Sequence, residues 1–278
     1  MPYPLEKLRY GLRRRLRELA TPTEAYDLQI AAPNYYGFQP IQKTLSVRHV
    51  WFEIDDENRL QKHVDTPETL SETPLYIVSI QVSFTNFTPD FKLSTILDEF
   101  LFAPKNVCFF ECDLDMAFVQ SFVNAVDNSI KRFECTNCSF TSETAAQMLC
   151  NSPAFSALKE ITIYEPTIPS ISTWVEALVE AECTSLKKFY VHDVPLSALE
   201  IDKNSFLKFF TAQSQGFRFG FAISVEVELD NSALQLLYQL FSEHFESREM
   251  PDNLLEESVV YIYFGSQNVS WCYTLRAN

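Results

Sequence analysis

Apolar residues recur through the middle of the chain in short blocks with a fixed internal spacing. Ile130, Phe133, Cys135 and Phe140 occupy positions 1, 4, 6 and 11 of such a block, with Cys138 at position 9. Leu158, Ile161, Ile163 and Ile168 repeat the pattern around Pro166, and Leu186, Phe189, Val191 and Leu196 repeat it around Val194. Upstream, Pro104, Val107, Phe109 and Leu114 fit with Cys112 in the ninth place, and a weaker copy runs from Ile77 through Ile80 and Val82 to Phe87. The fourth positions fall at 80, 107, 133, 161 and 189, spaced 27, 26, 28 and 28 residues apart. Alternation of this kind predicts a half-buried strand in each block. Between blocks the period changes to that of a helix: Val119, Phe122, Val123 and Val126; Ile171, Trp174, Val175 and Leu178; Leu234, Leu237, Tyr238 and Phe241.

One strand and one helix cannot bury an apolar face alone, so neighbouring units must stack and share a core. An ordinary α/β domain would also alternate strands and helices, but it imposes no constant register. The fold class expected is therefore α/β, a leucine-rich-repeat-like solenoid of parallel strands and helices. Phe217, Phe219 and Phe221 predict a sixth strand. The tail, Val260 to Phe264 and Val269 to Leu275, reads as a β-hairpin joined by Gly-Ser-Gln-Asn and closing the end of the stack. Asp55 to Pro74 reads as a long polar loop. Ahead of this body, residues 5–19 set Leu5, Leu8, Leu12, Leu16 and Leu19 on one helical side. Thr21, Pro22 and Glu24 form a capping box that opens a second helix through Tyr26, Leu28, Ile30 and Ala31, ended by Pro33. Two parts are expected, a helical head over 1–45 and a repeat body over 46–278.

Charge separates the same two parts. Residues 1–45 carry seven Lys and Arg against four acids, or +3, in a chain whose net charge is −15, leaving −18 on the body. So acidic a body argues against a nucleic-acid binder and against an anionic membrane surface. With only five glycines and neither GxGxxG nor GxxxxGK[ST], glycine-rich phosphate loops are excluded. Met1 to Leu16 is basic without an apolar stretch, so no secretory signal is expected, and no run is long enough to span a membrane. Seven cysteines, an odd number, then predict reduced thiols and a cytoplasmic or nuclear protein. Three glycosylation sequons, at Asn86, Asn137 and Asn268, are on that reading chance matches.

The head residues Pro4-Leu5-Glu6-Lys7-Leu8, the run from Gly11 and Leu12 to Leu16 and Leu19, Thr-Pro-Thr-Glu, and Tyr26-Asp-Leu28-Gln-Ile30 together resemble a divergent F-box. The body resembles the leucine-rich-repeat arrays that often follow one. The resemblance implies a substrate adaptor of a Skp1–cullin ubiquitin ligase. Leu5, Leu8, Leu12, Leu16 and Leu19 would dock a Skp1-like adaptor in a helix-in-groove contact with arginines at the rim, and the body would hold a protein target for ubiquitination by other components. Two other roles use the same leucines, a hairpin capping the first repeat or a basic amphipathic membrane helix, the latter disfavoured by the −18 body; for the whole chain the alternative is a free-standing interaction scaffold with no ligase link.

In such repeats positions 3, 5, 7 and 8 line or border the open concave face. That face would show Ser79, Gln81 and Phe84; Cys108, Phe110 and Glu111; Glu134 and Thr136; Thr162, Tyr164 and Glu165; Tyr190, His192 and Asp193. Phe110, Glu111, Glu134, Tyr164, Glu165, Tyr190 and His192 are the candidate target contacts, aromatics flanked by acids that suit a partner with a basic, amphipathic patch. Cys108, Cys112, Cys135 and Cys138 have the count for zinc. The register sets two of them in the ninth position and one in the core, so structural thiols are expected instead and no metal or cofactor. His49, His63, His192 and His244 show no metal spacing, no GxSxG elbow occurs, and His192 and Asp193 should point to opposite faces. Asp55, Asp56 and Glu57 read as a solvated loop. No catalytic residue is assigned, and the chain is expected not to be an enzyme.

Overall fold

Every repeated block adopts a strand in the computed structural model, which describes residues 5–65, 74–127, 129–167, 169–248 and 257–276. Pro4, Ile168 and residues 66–73 of the expected loop lie outside the described residues. After one 3₁₀ turn (Leu5–Lys7), the head comprises α1 (Tyr10–Leu19) and α2 (Pro22–Ala31). There follow β1 (Thr44–Ile54), β2 (Leu60–Val64), β3 (Leu75–Thr85), α3 (Ser94–Leu97), β4 (Phe100–Phe102), β5 (Asn106–Phe110), β6 (Asp113–Leu114) and α4 (Met116–Ala125). The chain continues through β7 (Arg132–Thr136), β8 (Ser139–Phe140), α5 (Thr144–Cys150), β9 (Glu160–Tyr164), α6 (Ile171–Glu180) and β10 (Lys188–Val194). It ends with α7 (Lys203–Ala212), β11 (Arg218–Ile223), α8 (Asn231–Phe241), β12 (Phe245–Arg248), β13 (Val259–Phe264) and β14 (Val269–Leu275).

The protein is α/β, built on a mostly parallel 12-stranded sheet. β1, β3, β5, β7, β9, β10, β11 and β13 lie side by side in chain order, each parallel to the next. Antiparallel strands close the two edges, β2 against β1 at one and β14 then β12 at the other. Register aligns two inward rows. One is Val50, Val82, Val107, Phe133, Ile161, Phe189, Phe219 and Val260; the other is Phe52, Phe84, Phe109, Cys135, Ile163, Val191, Phe221 and Ile262, and every member is buried. The helices pack against this face, with α4, α5, α6 and α7 neighbours in turn. Asp115, Ser170, Asp202 and Asp230 cap α4, α6, α7 and α8 by accepting a first-turn backbone N–H.

Several expectations change. The fourth position of the weak upstream copy is Val82, not Ile80, because Val82 pairs with Val107. The two-residue shift takes Phe84 from the open face into the core. The stretch from Asp55 is not all loop: Leu60–Val64 forms β2, and the turn before it is ordered by the Asp55 carboxylate, which accepts from the backbone N–H of Glu57 and Arg59. α8 is inclined from the expected stripe, burying Ala233, Leu237, Leu240 and Phe241 and leaving Leu234 and Tyr238 exposed. The hairpin of β13 and β14 forms as expected, but β12 rather than β14 is the outermost strand. β11 is the sixth strand that Phe217, Phe219 and Phe221 predicted.

One further regularity escaped the apolar template. Asn86, Glu111, Asn137, Glu165 and Asp193 stand at the eighth position of successive units, and all have left-handed backbones, with φ of 59, 51, 50, 48 and 52°. There the N–H groups of Asn86, Glu111, Asn137 and Glu165 each donate to a carbonyl of the next strand, at Phe110, Thr136, Tyr164 and His192. Asparagine tolerates this conformation, which accounts for Asn86 and Asn137 at these turns; Asn268 is also left-handed, at φ 54°. Glutamate tolerates it less well. Glu111→Gly and Glu165→Gly are each expected to raise unfolding free energy by about 0.5–1 kcal/mol, the left-handed penalty less the added entropy cost of glycine. Urea denaturation measures this, and a loss of stability in both would show that the carboxylates hold the turns.

Candidate interaction surfaces

The head's capping box is present: Thr21 accepts from the Glu24 N–H, and the Glu24 carboxylate accepts from the Thr21 N–H at 2.9 Å. The Thr23 hydroxyl donates to the Leu97 carbonyl at 2.6 Å and its N–H to the Asp98 carbonyl at 3.2 Å. Ala25 is buried beside this junction. α2 therefore ties the head to the segment between α3 and β4. α1 buries none of its residues. Leu12, Leu16 and Leu19 are 57, 37 and 66% exposed, while Leu5 and Leu8 are half-buried. Leu16 and Leu19 line a cleft of about 530 Å³ with Leu28 and Ala31 of α2, edged by Glu24 and Asp27. Arg13 donates back to the Leu8 carbonyl of the turn before α1, and Arg17 ties α1 to the following segment through the Pro40 carbonyl.

On the face of the sheet away from the helices, Tyr164 and His192 occupy one register row on adjacent strands, their rings stacked at 4.4 Å with 14° between planes. Tyr190 lies 6.2 Å from His192. Its ring covers Gly220, where an added Cβ would come within 2.3 Å of the Tyr190 Cδ1, so glycine is what lets the ring lie flat on β11. Phe110 shares the row of Tyr164 but stands two strands away, beyond Thr136. Glu134 is half-buried in the row of Thr162 and Tyr190, and Glu111 and Glu165 are exposed at the strand ends. The structure thus joins Tyr164, Glu165, Tyr190 and His192 in one group and sets Phe110, Glu111 and Glu134 apart. Cys108, expected on this face, is buried between its row neighbours Ser83 and Glu134. Burial, reinforced by the Glu134 charge, pushes its thiol up to about 12.

Sequence reasoning missed one end of this face. Trp51 on β1 is 50% exposed, donates its Nε1–H to the Thr85 hydroxyl at 2.9 Å, and meets His63 edge-on at 6.2 Å. With His49, Gln81 and Ser83 they line an open hollow of about 560 Å³. The alternation of Val50, Phe52 and Ile54 was the available signal, but β2 interrupts the period before β3. At the other end Tyr263 is exposed as well.

The cysteines support the turns. The Cys112 Sγ lies 3.1 Å from the Phe110 carbonyl and the Cys138 Sγ 3.2 Å from the Thr136 carbonyl, while the Cys112 N–H points at Cys138 Sγ at 3.5 Å. Cys135 sits in the inward row, its thiol pushed well up by burial. None of the seven cysteines is disulfide-bonded. Among the described residues no cluster of His, Cys, Asp or Glu is arranged to hold a metal ion, and no helix is long and apolar enough to cross a membrane.

Burial lowers the His192 pKa. The unfolded chain then binds the proton more readily, so stability rises with pH across the window below the ordinary histidine value of about 6.5 and levels off above it. Unfolding free energy measured from about pH 5 to about pH 7.5 should fall on acidification, and His192→Gln should flatten this slope. An unchanged slope would mean the Tyr164 stack does not exclude the proton.

No protein family model matches the chain, and no curated protein matches it in sequence.

Proposed function

We propose that this protein is a non-catalytic recognition adaptor, an F-box-like head on a leucine-rich-repeat-like solenoid. The head binds Skp1 through α1, and the open face of the sheet, centred on Tyr164, Tyr190 and His192, holds a protein target for ubiquitination. The observation that carries this reading is the outward leucine side of α1. A capping hairpin would turn Leu12, Leu16 and Leu19 onto the sheet, yet α1 buries nothing and the sheet edge is covered by β2. Strands parallel in chain order with a near-constant register, and a left-handed residue at the eighth position of five successive units, support the solenoid. The aromatic group, with the Glu165 carboxylate at its margin, supports a target with a basic, amphipathic patch.

Retention of Skp1 by the full chain on an affinity column tests the reading. Retention of stoichiometric Skp1 is the expected result. If the folded wild-type chain retains none, the ligase role is lost and an interaction scaffold remains.

A further inference from the structure

The ends of the strands where the chain enters the sheet carry a feature the aromatic group does not use. Lys105, Lys131, Lys159 and Lys187 immediately precede β5, β7, β9 and β10, one on each of four neighbouring strands. They are held in line by the backbone: the N–H of Lys131 donates to the Lys105 carbonyl at 2.6 Å, Lys159 to Lys131 at 2.8 Å, and Lys187 to Lys159 at 2.8 Å. Arg132, Lys188 and Arg218 open β7, β10 and β11 beside them, and Glu160 is the one carboxylate at these positions on β5 to β11. Glu160 sits between Arg132, at 2.8 Å, and Lys188, at 3.0 Å. Burial alone would raise its pKa, but hydrogen bonds from Lys188 and Arg132 outweigh this and lower it, so it stays ionised. The Lys187 Nζ donates to the Gln215 carbonyl at 2.9 Å. Lys105, Lys131 and Lys159 form no salt bridge with any described residue, and Lys105 and Lys131 are exposed. The opposite ends of the same strands carry Glu111, Glu165 and Asp193. In a chain of net charge −15 this edge is a local reversal of sign.

We propose that this edge is a docking strip for an acidic peptide segment of a partner protein, a run of Asp and Glu residues laid across the ends of β5, β7, β9, β10 and β11. Five strands at roughly 4.8 Å spacing span about 19 Å, the length of about six extended residues. The four lysines run in single file, which matches one extended chain. A duplex would instead bring two rows of phosphates close to the acidic bulk of the protein, where they are repelled. Lysine ammonium groups act as point charges and impose no fixed carboxylate orientation, so recognition depends on charge density more than on sequence. The proposal does not rest on the Skp1 reading or on the aromatic group.

A fluorescein-labelled octapeptide made only of Glu and Asp, titrated with the full chain and followed by anisotropy, tests it. Binding is expected at about 0.01 M salt and should weaken at least tenfold by about 0.15 M, as the screening length falls from about 30 to about 8 Å. The Lys105→Gln/Lys131→Gln/Lys159→Gln variant should lose most of this affinity while keeping the wild-type circular dichroism and melting curve. An Arg14→Gln/Arg15→Gln variant of the head should bind like the wild type. The proposal is overturned if the lysine variant binds unchanged, if the head variant loses binding instead, or if a single-stranded oligonucleotide of equal charge binds more tightly than the peptide.

Discussion

Phe84→Ala is expected to lower unfolding free energy by about 3–5 kcal/mol, the range for a buried aromatic truncated where the surroundings cannot collapse. Phe84 is fully buried and stacks between Phe52, at 5.6 Å, and Phe109, at 5.2 Å, its neighbours in one inward row. Phe87, Phe118 and Phe122 meet it edge-on at 5.3, 5.8 and 5.9 Å. The rings on either side belong to strands hydrogen-bonded into the sheet, so they cannot close the gap without breaking register, and the α4 rings are fixed by their own helix. Urea denaturation should show a lower midpoint with an unchanged slope. The result also decides the register. Were Ile80 the fourth position of its block, Phe84 would be the eighth, past the strand at the exposed border of the open face, and its truncation would cost about 0.5 kcal/mol or less.

That disagreement over register shows where the sequence is legible and where it is not. From Val107 to Val191 apolar pairs two residues apart return at nearly constant spacing, because each unit spans the same strand, turn and helix. The parallel strands and helices α4 and α6 follow from that. Before Val107 the unit contains α3 and β4 in place of one full helix, and the period no longer locates its strand to within two residues. β1 escapes because β2 lies between it and β3. α5 is only seven residues long and buries Ala145 and Ala146, so its stripe is too weak to read. The turns were legible only through Cys112 and Cys138; the left-handed residues before them are Asn, Glu or Asp, and the apolar template does not constrain their position.

The candidate surface divides the same way. Tyr164, Tyr190 and His192 follow from alternation once β9 and β10 are in register. Trp51 does not, since its strand had no place in the repeat. The line of lysines is visible in sequence as the residue after the first apolar position of four blocks, yet only adjacency of the strands turns residues about 26 to 28 apart into one edge. A common physical theme emerges from the sheet: regular register multiplies whatever occupies a given position, so a single lysine or carboxylate per unit becomes a strip of charge.

The Leu12→Asp/Leu16→Asp double variant is expected to abolish retention of Skp1 while leaving the fold intact. Both leucines are exposed and α1 buries no residue, so the cost to the folded chain is limited to helix propensity, about 1 kcal/mol or less. In a docked complex each leucine would contribute about 1.5–3 kcal/mol through burial. Losing two therefore removes about 3–6 kcal/mol, and each 1.4 kcal/mol is a tenfold change in affinity, so binding should weaken by a factor of at least about 100. Placing two carboxylates in an apolar groove adds a desolvation penalty to that loss. Calorimetry with purified Skp1, alongside melting curves of both chains, separates the effects. If the variant melts well below the wild type, α1 supports the fold and the leucines belong to a cap. If it melts like the wild type and still binds Skp1 with equal affinity, the contact lies elsewhere and the helix-in-groove reading of the head is wrong.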